Sequence, residues 1–200
     1  MTNIYYNQFT TDDEERNKEL DFCLSQLCNN ESIDNVYVLG MENPKHPKCK
    51  KVTVKLQPDF DFFFKTINIY TAKDDINIII NSDCYIEKQS IDLIKENLTH
   101  DKCYCLTRYD MNKSGELSFY DRIDSQDAWC FKGAIKKAEA DFSMGMPGCD
   151  NALCYILDNA GYEVLNPSLD IKVIHLHLSL KRNYKMRVDL PYKLLKPTNL

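Results

Sequence analysis

Apolar positions along the chain change period several times. Residues Ile76, Ile78, Ile79 and Ile80 form a nearly unbroken β-branched run, and Val36, Tyr37, Val38 and Leu39 form another. Runs that do not alternate with polar residues predict strands buried on both faces, as in the middle of a parallel sheet covered by helices. Shorter runs at 4–6, 52–54, 103–107, 126–131, 163–165 and 171–177 predict further strands. Between them the apolar period becomes helical. Leu20, Cys23, Leu24 and Leu27 are spaced to share one face, as are Ile91, Ile94 and Leu98, and Leu153, Ile156, Leu157 and Ala160. Thr11 with Glu14 reads as a capping box for the first helix. Asp59 or Asp61 caps a helix through 63–69. The third helix is expected over 86–98, and residues 111–120 as a loop or hairpin. Gly161 suits the residue after a fourth helix, whose start follows the turn Gly145-Met146-Pro147-Gly148. Strand–helix alternation of this kind predicts one α/β domain with a largely parallel sheet.

Composition narrows the class. Two hundred residues, 44 % of them hydrophobic, suit a single domain over 1–200 with a sizeable core. No run of about 18 apolar residues predicts a membrane span. The first residues lack the basic and apolar regions of a signal peptide, so a cytoplasmic location is expected. The nine cysteines show no metal-ligand spacing and read as small, buried, reduced hydrophobes. The sequons at Asn30, Asn97 and Asn112 are then chance matches. A net charge of −5 argues against nucleic acid as a partner. The last quarter is locally basic, which suits either an anionic ligand or a solvated tail.

The candidate chemistry clusters at strand ends. Asp83 closes the Ile76–Ile80 run, and ligands of open α/β sheets bind at the carboxyl ends of strands. A carboxylate there can hold a hard cation that takes phosphate oxygens as its other ligands. The bland alternative is a polar turn, Asn81-Ser82-Asp83, bonded to its own backbone. His175 and His177 are two apart on a predicted strand and so face one side. Imidazoles there can complete a cation site, while the more frequent role of such a histidine is in a core or interface, bonded to backbone. Asp150 opens the fourth helix, as a cap or as a carboxylate placed to take a proton. Asp127 begins a strand beside Trp129, the single tryptophan, whose ring fits a sugar face or plain core. Arg108 and Asp110 follow the strand at 103–107, where they can salt-bridge or face the same cleft, and Arg182 follows the histidines where it can close over a phosphate. No Gly-rich phosphate loop and no nucleophile elbow is present, so phosphate binding here requires a metal.

A buried strand ending in Asn81-Ser82-Asp83, then Ser125-Gln126-Asp127-Ala128-Trp129, then Gly148-Cys149-Asp150-Asn151 opening a helix, then His175-Leu176-His177, resembles the GT-A class of nucleotide-sugar glycosyltransferases. It looks most like the small capsid-glycosylating enzymes of large algal DNA viruses. The resemblance runs from Tyr5 to about Tyr184. It implies a Rossmann-like, mixed and mostly parallel sheet flanked by helices. A nucleotide-binding half would span 1–100, an acceptor and sugar half 101–184, and a tail 185–200. It implies a UDP-sugar donor, a glycan or glycoprotein acceptor and Mn2+ or Mg2+. By the same resemblance Asp83 is the metal ligand, joined by His175 or His177, and Asn81 departs from the usual first aspartate. Asp150 is the catalytic carboxylate and Asp127 contacts the transferred sugar. Tyr6, Asn7, Leu39, Gly40, Lys65 and Ser82 fall in the nucleotide-binding region. Two other activities remain open on the sequence. One is a non-catalytic sugar- or nucleotide-binding module of a longer polypeptide, which the replacement at Asn81 favours. The other is a sugar-1-phosphate nucleotidylyltransferase, disfavoured because no Gly-rich basic loop follows the first strand.

Overall fold

The computed structural model describes all residues except 41–43, 45, 179–185 and 190. Its main sheet has seven strands. In chain order these are β1 (Thr2–Asn7), β2 (Asn35–Gly40), β3 (Cys49–Thr53), β4 (Ile76–Ile80), β6 (Lys102–Leu106), β9 (Ala128–Lys132) and β10 (Glu163–Leu165). They lie in the spatial order β10-β6-β9-β4-β1-β2-β3. All neighbours are parallel except β9, which runs antiparallel between β4 and β6. A second sheet contains β5 (Cys84–Ile86), β7 (Arg108–Met111), β8 (Leu117–Phe119) and β11 (Val173–His175), ordered β5-β11-β7-β8. The helices are α1 (Glu14–Asn29), α2 (Phe60–Tyr70), α3 (Lys88–Asn97) and α4 (Cys149–Asn159). The expected α/β class with a mixed, mostly parallel central sheet flanked by helices is what the chain adopts.

The period-2 geometry of the strands divides the core in two. Tyr5, Tyr37, Ile79 and Trp129 face α2 and α4, while Ile4, Tyr6, Val36, Val38, Ile78 and Ile80 face α1 and α3. Every residue of β4 is buried, which explains why its sequence does not alternate. Trp129 is 1 % exposed and meets Phe60 edge-on at 5.1 Å, so its ring belongs to the core and offers no face to a sugar. The nine cysteines are all unpaired, and all but Cys49 are buried.

Several expectations need correction. The cap of α1 is Asp13, whose carboxylate accepts from the N–H groups of Glu15 and Arg16. Thr11 instead bonds Asp13 and Asn17 ahead of the helix. Residues 84–86 form β5 before α3 begins at Lys88. Gly148, in the left-handed region at φ 81°, is the N-terminal cap residue of α4, so Asp150 is not the cap. The C-terminal segment is no solvated tail. Val188 and Leu195 are buried, and the N–H groups of Val188, Lys193 and Leu195 donate to the carbonyls of Pro147, Asn151 and Ile123. No helix among the described residues is long and apolar enough to cross a membrane.

Candidate functional site

The chain leaves the main sheet at the end of β4, turns through Asn81–Asp83 and enters β5 of the second sheet. Asp83 therefore sits where the two sheets meet. The turn is tied to β1 from both sides. The Ser82 hydroxyl donates to the Asn7 carbonyl at 2.5 Å, and the buried Tyr6 hydroxyl donates to the Ser82 carbonyl at 2.6 Å. Strand β11 brings in the histidines. It pairs with β5 on one side and β7 on the other, so His175 lies opposite both Cys84 and Asp110. The Leu176 N–H donates to the Asp83 carbonyl at 2.8 Å, which holds the flanking His175 and His177 close to that residue's carboxylate.

His175 Nε2 lies 3.2 Å from Asp83 Oδ2, and its Nδ1 lies 2.7 Å from Asp110 Oδ1. His177 Nδ1 approaches the same Asp83 oxygen at 3.7 Å. One ligand atom from each of Asp83, His175 and His177 falls within 4.8 Å of the others. One carboxylate and two imidazoles suit a first-row divalent cation. The fit is supported by the Nε2 atom of His177, which is buried without a hydrogen-bond partner. Asp110 behind His175 is the carboxylate–imidazole pairing that orients histidine ligands. Arg16, from the first turns of α1, also reaches this point: its Nη2 contacts Asp83 Oδ2 at 2.5 Å.

The charges explain the proton affinities. Burial alone would raise the Asp83 pKa, but His175 and Arg16 outweigh it and hold the group well below the usual carboxylate range. Burial would lower His175, yet its bonds to Asp110 and Asp83 raise it to about 9. His177 is lowered by burial and by the neighbouring Arg16 charge. Arg108 is 8 % exposed and spans Asp110 at 2.8 Å and Asp127 at 3.2 Å, with its guanidinium stacked on Tyr120. Asp127 also accepts from the Asn81 amide at 2.8 Å. Asp150 accepts from the Gln126 and Asn151 N–H groups, both at 3.2 Å. Burial, and after it the nearby Asp127 charge, push its carboxyl up to about 6 despite those donors.

A cleft of about 390 Å³ opens at the ends of β1 and β2, lined by Asn7, Gln8, Phe9, Gly40 and residues 54–57. Gly40 permits this close passage, since a Cβ there would lie 3.0 Å from the Gln8 Cβ. Of the residues expected at the nucleotide, Asn7 and Gly40 line the cleft. Tyr6 and Leu39 are buried beneath it in the core, and Lys65 is exposed on α2 without lining it. Asn81, Ser82, Asp83, Arg108, Asp127, His175 and His177 come together at the sheet junction. Arg182 lies outside the described residues. Sequence reasoning missed Arg16 entirely; it offered the Arg108–Asp110 ion pair, which forms at 2.8 Å, but not the bond from Asp110 to His175.

No protein-family model and no curated protein matches the chain. Among solved structures it is similar to residues 1–349 of Staphylococcus aureus TarS in complex with UDP-GlcNAc, with a TM-score of 0.49 and 12 % identity. That match covers 96 % of this chain and 60 % of the TarS fragment. It is also similar to 4-diphosphocytidyl-2C-methyl-D-erythritol synthase from Anaerococcus prevotii, with a TM-score of 0.42, 10 % identity, and 66 % and 69 % of the two chains covered. A third likeness is to the apo-form glycosyltransferase GlyE of Streptococcus pneumoniae, with a TM-score of 0.36, 14 % identity, and 65 % and 33 % covered.

Proposed function

We propose that the chain is a metal-dependent glycosyltransferase that moves a sugar from a UDP-sugar to a glycan or glycoprotein acceptor. The observation that carries this is the convergence of Asp83, His175 and His177 at the end of β4, on the same edge of the sheet as the cleft at β1 and β2. A nucleoside in that cleft would direct its diphosphate toward the end of β4. There Asp83 and the two imidazoles would hold Mn2+ or Mg2+, which supplies positive charge to a leaving diphosphate. Asp127, fixed by Arg108 and Asn81, offers carboxylate oxygens to the hydroxyls of the transferred sugar. Asp150, with a carboxyl near 6, is mostly ionised at neutral pH and takes the proton of the attacking hydroxyl. The sugar–oxygen bond to the acceptor forms as the bond to the diphosphate breaks.

The test is calorimetric titration of UDP into the protein with manganese and then with EDTA. Asp83→Asn is the better variant than Asp83→Ala, because Ala would strand the part-buried Arg16 and His175. UDP binding should require manganese in the natural protein and be lost in Asp83→Asn. A folded Asp83→Asn protein that keeps manganese-dependent UDP affinity refutes the assignment.

A further inference from the structure

Asp83 Oδ2 is claimed by more than the two imidazoles. The Arg16 guanidinium touches that oxygen at 2.5 Å, closer than His175 at 3.2 Å or His177 at 3.7 Å. Arg16 is held there, not merely passing. Its Nη1 donates to Glu19 Oε2 at 2.8 Å and to the Leu176 carbonyl at 3.3 Å, and Glu19 in turn accepts from the Leu178 N–H at 2.8 Å. Its side chain is 13 % exposed, at the edge of the junction. The cleft-lining residues Gln8, Phe9 and Thr10 lead through residues 11–13 into the helix that carries it. The geometry therefore sets a fixed positive charge on the carboxylate oxygen that a cation would need.

We propose that Arg16 is the resident counter-ion of Asp83 and couples cation binding to diphosphate binding. This rests on the cation–diphosphate reading of the site. A divalent cation arriving alone must displace the guanidinium or sit against it, and both weaken its binding. A nucleoside diphosphate brings enough negative charge for both. The guanidinium can then leave Asp83 for phosphate oxygens, which it matches in a planar, bidentate manner. Cation and diphosphate thus bind weakly apart and tightly together, and the coupling is reciprocal.

The test titrates MnCl2 into the full chain, with and without UDP, for the natural protein, Arg16→Gln and Arg16→Lys, each checked for folding by thermal melting. Arg16→Gln should bind manganese alone roughly tenfold or more tightly than the natural protein. Arg16→Lys, which keeps the charge, should stay close to the natural protein. The gain in manganese affinity that UDP confers should shrink in Arg16→Gln. A folded Arg16→Gln protein that binds manganese alone no more tightly overturns the proposal while leaving the cation site standing. No manganese binding by the natural protein, with or without UDP, removes the cation site and this proposal together. A second measurement needs no variant: the Arg16 side-chain N–H resonance should shift when MgCl2 and UDP are added, and an unmoved resonance under saturating binding also overturns it.

Discussion

Replacing Asp150 by Asn separates the charge of this carboxyl group from its shape. In the folded chain its pKa rises from the ordinary 3.8 to about 6, because burial and the Asp127 charge disfavour ionisation more than two N–H donors favour it. The folded state therefore holds a proton on Asp150 that the unfolded state has already released between about pH 4 and pH 6. The sign follows directly. This group favours folding most below pH 4, and its contribution falls as pH rises to about 6 and then stays level. At 1.36 kcal/mol per pK unit, a rise from 3.8 to about 6 amounts to about 3 kcal/mol, a ceiling for a carboxyl that keeps some exposure. Asn cannot ionise and escapes that loss. It retains one acceptor for the two backbone donors, which costs about 1 kcal/mol. Asp150→Asn should thus be more stable than the natural protein at pH 7.5 by about 1 to 2 kcal/mol, a melting shift of about 2 to 8 °C for a chain of this size. At pH 4 it should be equal or slightly less stable. The assay is denaturant unfolding of both proteins at pH 4 and pH 7.5, taking the difference between them so that other titrating groups cancel. A difference that does not change with pH would show that Asp150 ionises as an ordinary surface carboxylate. The same variant should lose turnover while retaining UDP affinity.

Two further substitutions probe the supports of the site. Asp110→Asn weakens the anchor of His175 Nδ1 and should lower manganese affinity about 10- to 100-fold in the presence of UDP, read by calorimetry. Gly148→Ala meets both a left-handed backbone at φ +81° and the Tyr192 hydroxyl 2.6 Å from the new Cβ. It should cost about 1 to 3 kcal/mol or more in unfolding experiments, and disturb Asp150 two residues on.

How far the sequence could be read depended on how local each signal was. The β4 run announced itself because burial on both faces forbids alternation, and Asp83 was visible at its end. The His-x-His spacing placed two rings on one side whatever the strand partners were. Asp110 was legible as a partner for Arg108, but its bond to His175 was not, because only the parallel pairing of β7 with β11 sets the two opposite each other. The other neighbour of β11 is β5, three residues long, whose pattern cannot be told from the first turn of a helix. Arg16 was harder still. It lies on a charged helix face, 67 residues from Asp83, and nothing in Glu14-Glu15-Arg16-Asn17-Lys18 distinguishes it from a solvated cation. The basic C-terminus misled for the opposite reason. The buried Val188 and Leu195 lie in a stretch, 186–195, whose apolar residues are interrupted by Arg187, Pro191 and Lys193; the two fall on opposite phases of any alternation, and Pro191 between them breaks a helical period.

The junction can hold so many buried charges because they alternate in sign around a closed path. Arg16 meets Asp83, Asp83 meets His175, His175 meets Asp110, Asp110 meets Arg108 and Arg108 meets Asp127. Asp127 then returns to the starting turn through the Asn81 amide. Buried charges cost several kcal/mol each unless paired, and here each carboxylate touches at least two donors. The path also gives Asn81 a role. A second carboxylate at that position would face Asp127, whereas an amide donates to it, so the amide serves the ring. The other end of that amide, Oδ1, is buried without a hydrogen-bond partner, which leaves it available to a ligand's hydroxyl or to a cation-bound water. A cation and a diphosphate can enter such a ring together with little change in its charge, while either one alone must unbalance it. Electrostatic closure of the ring thus accounts for an amide at Asn81 and for Arg16 on Asp83 by one physical cause.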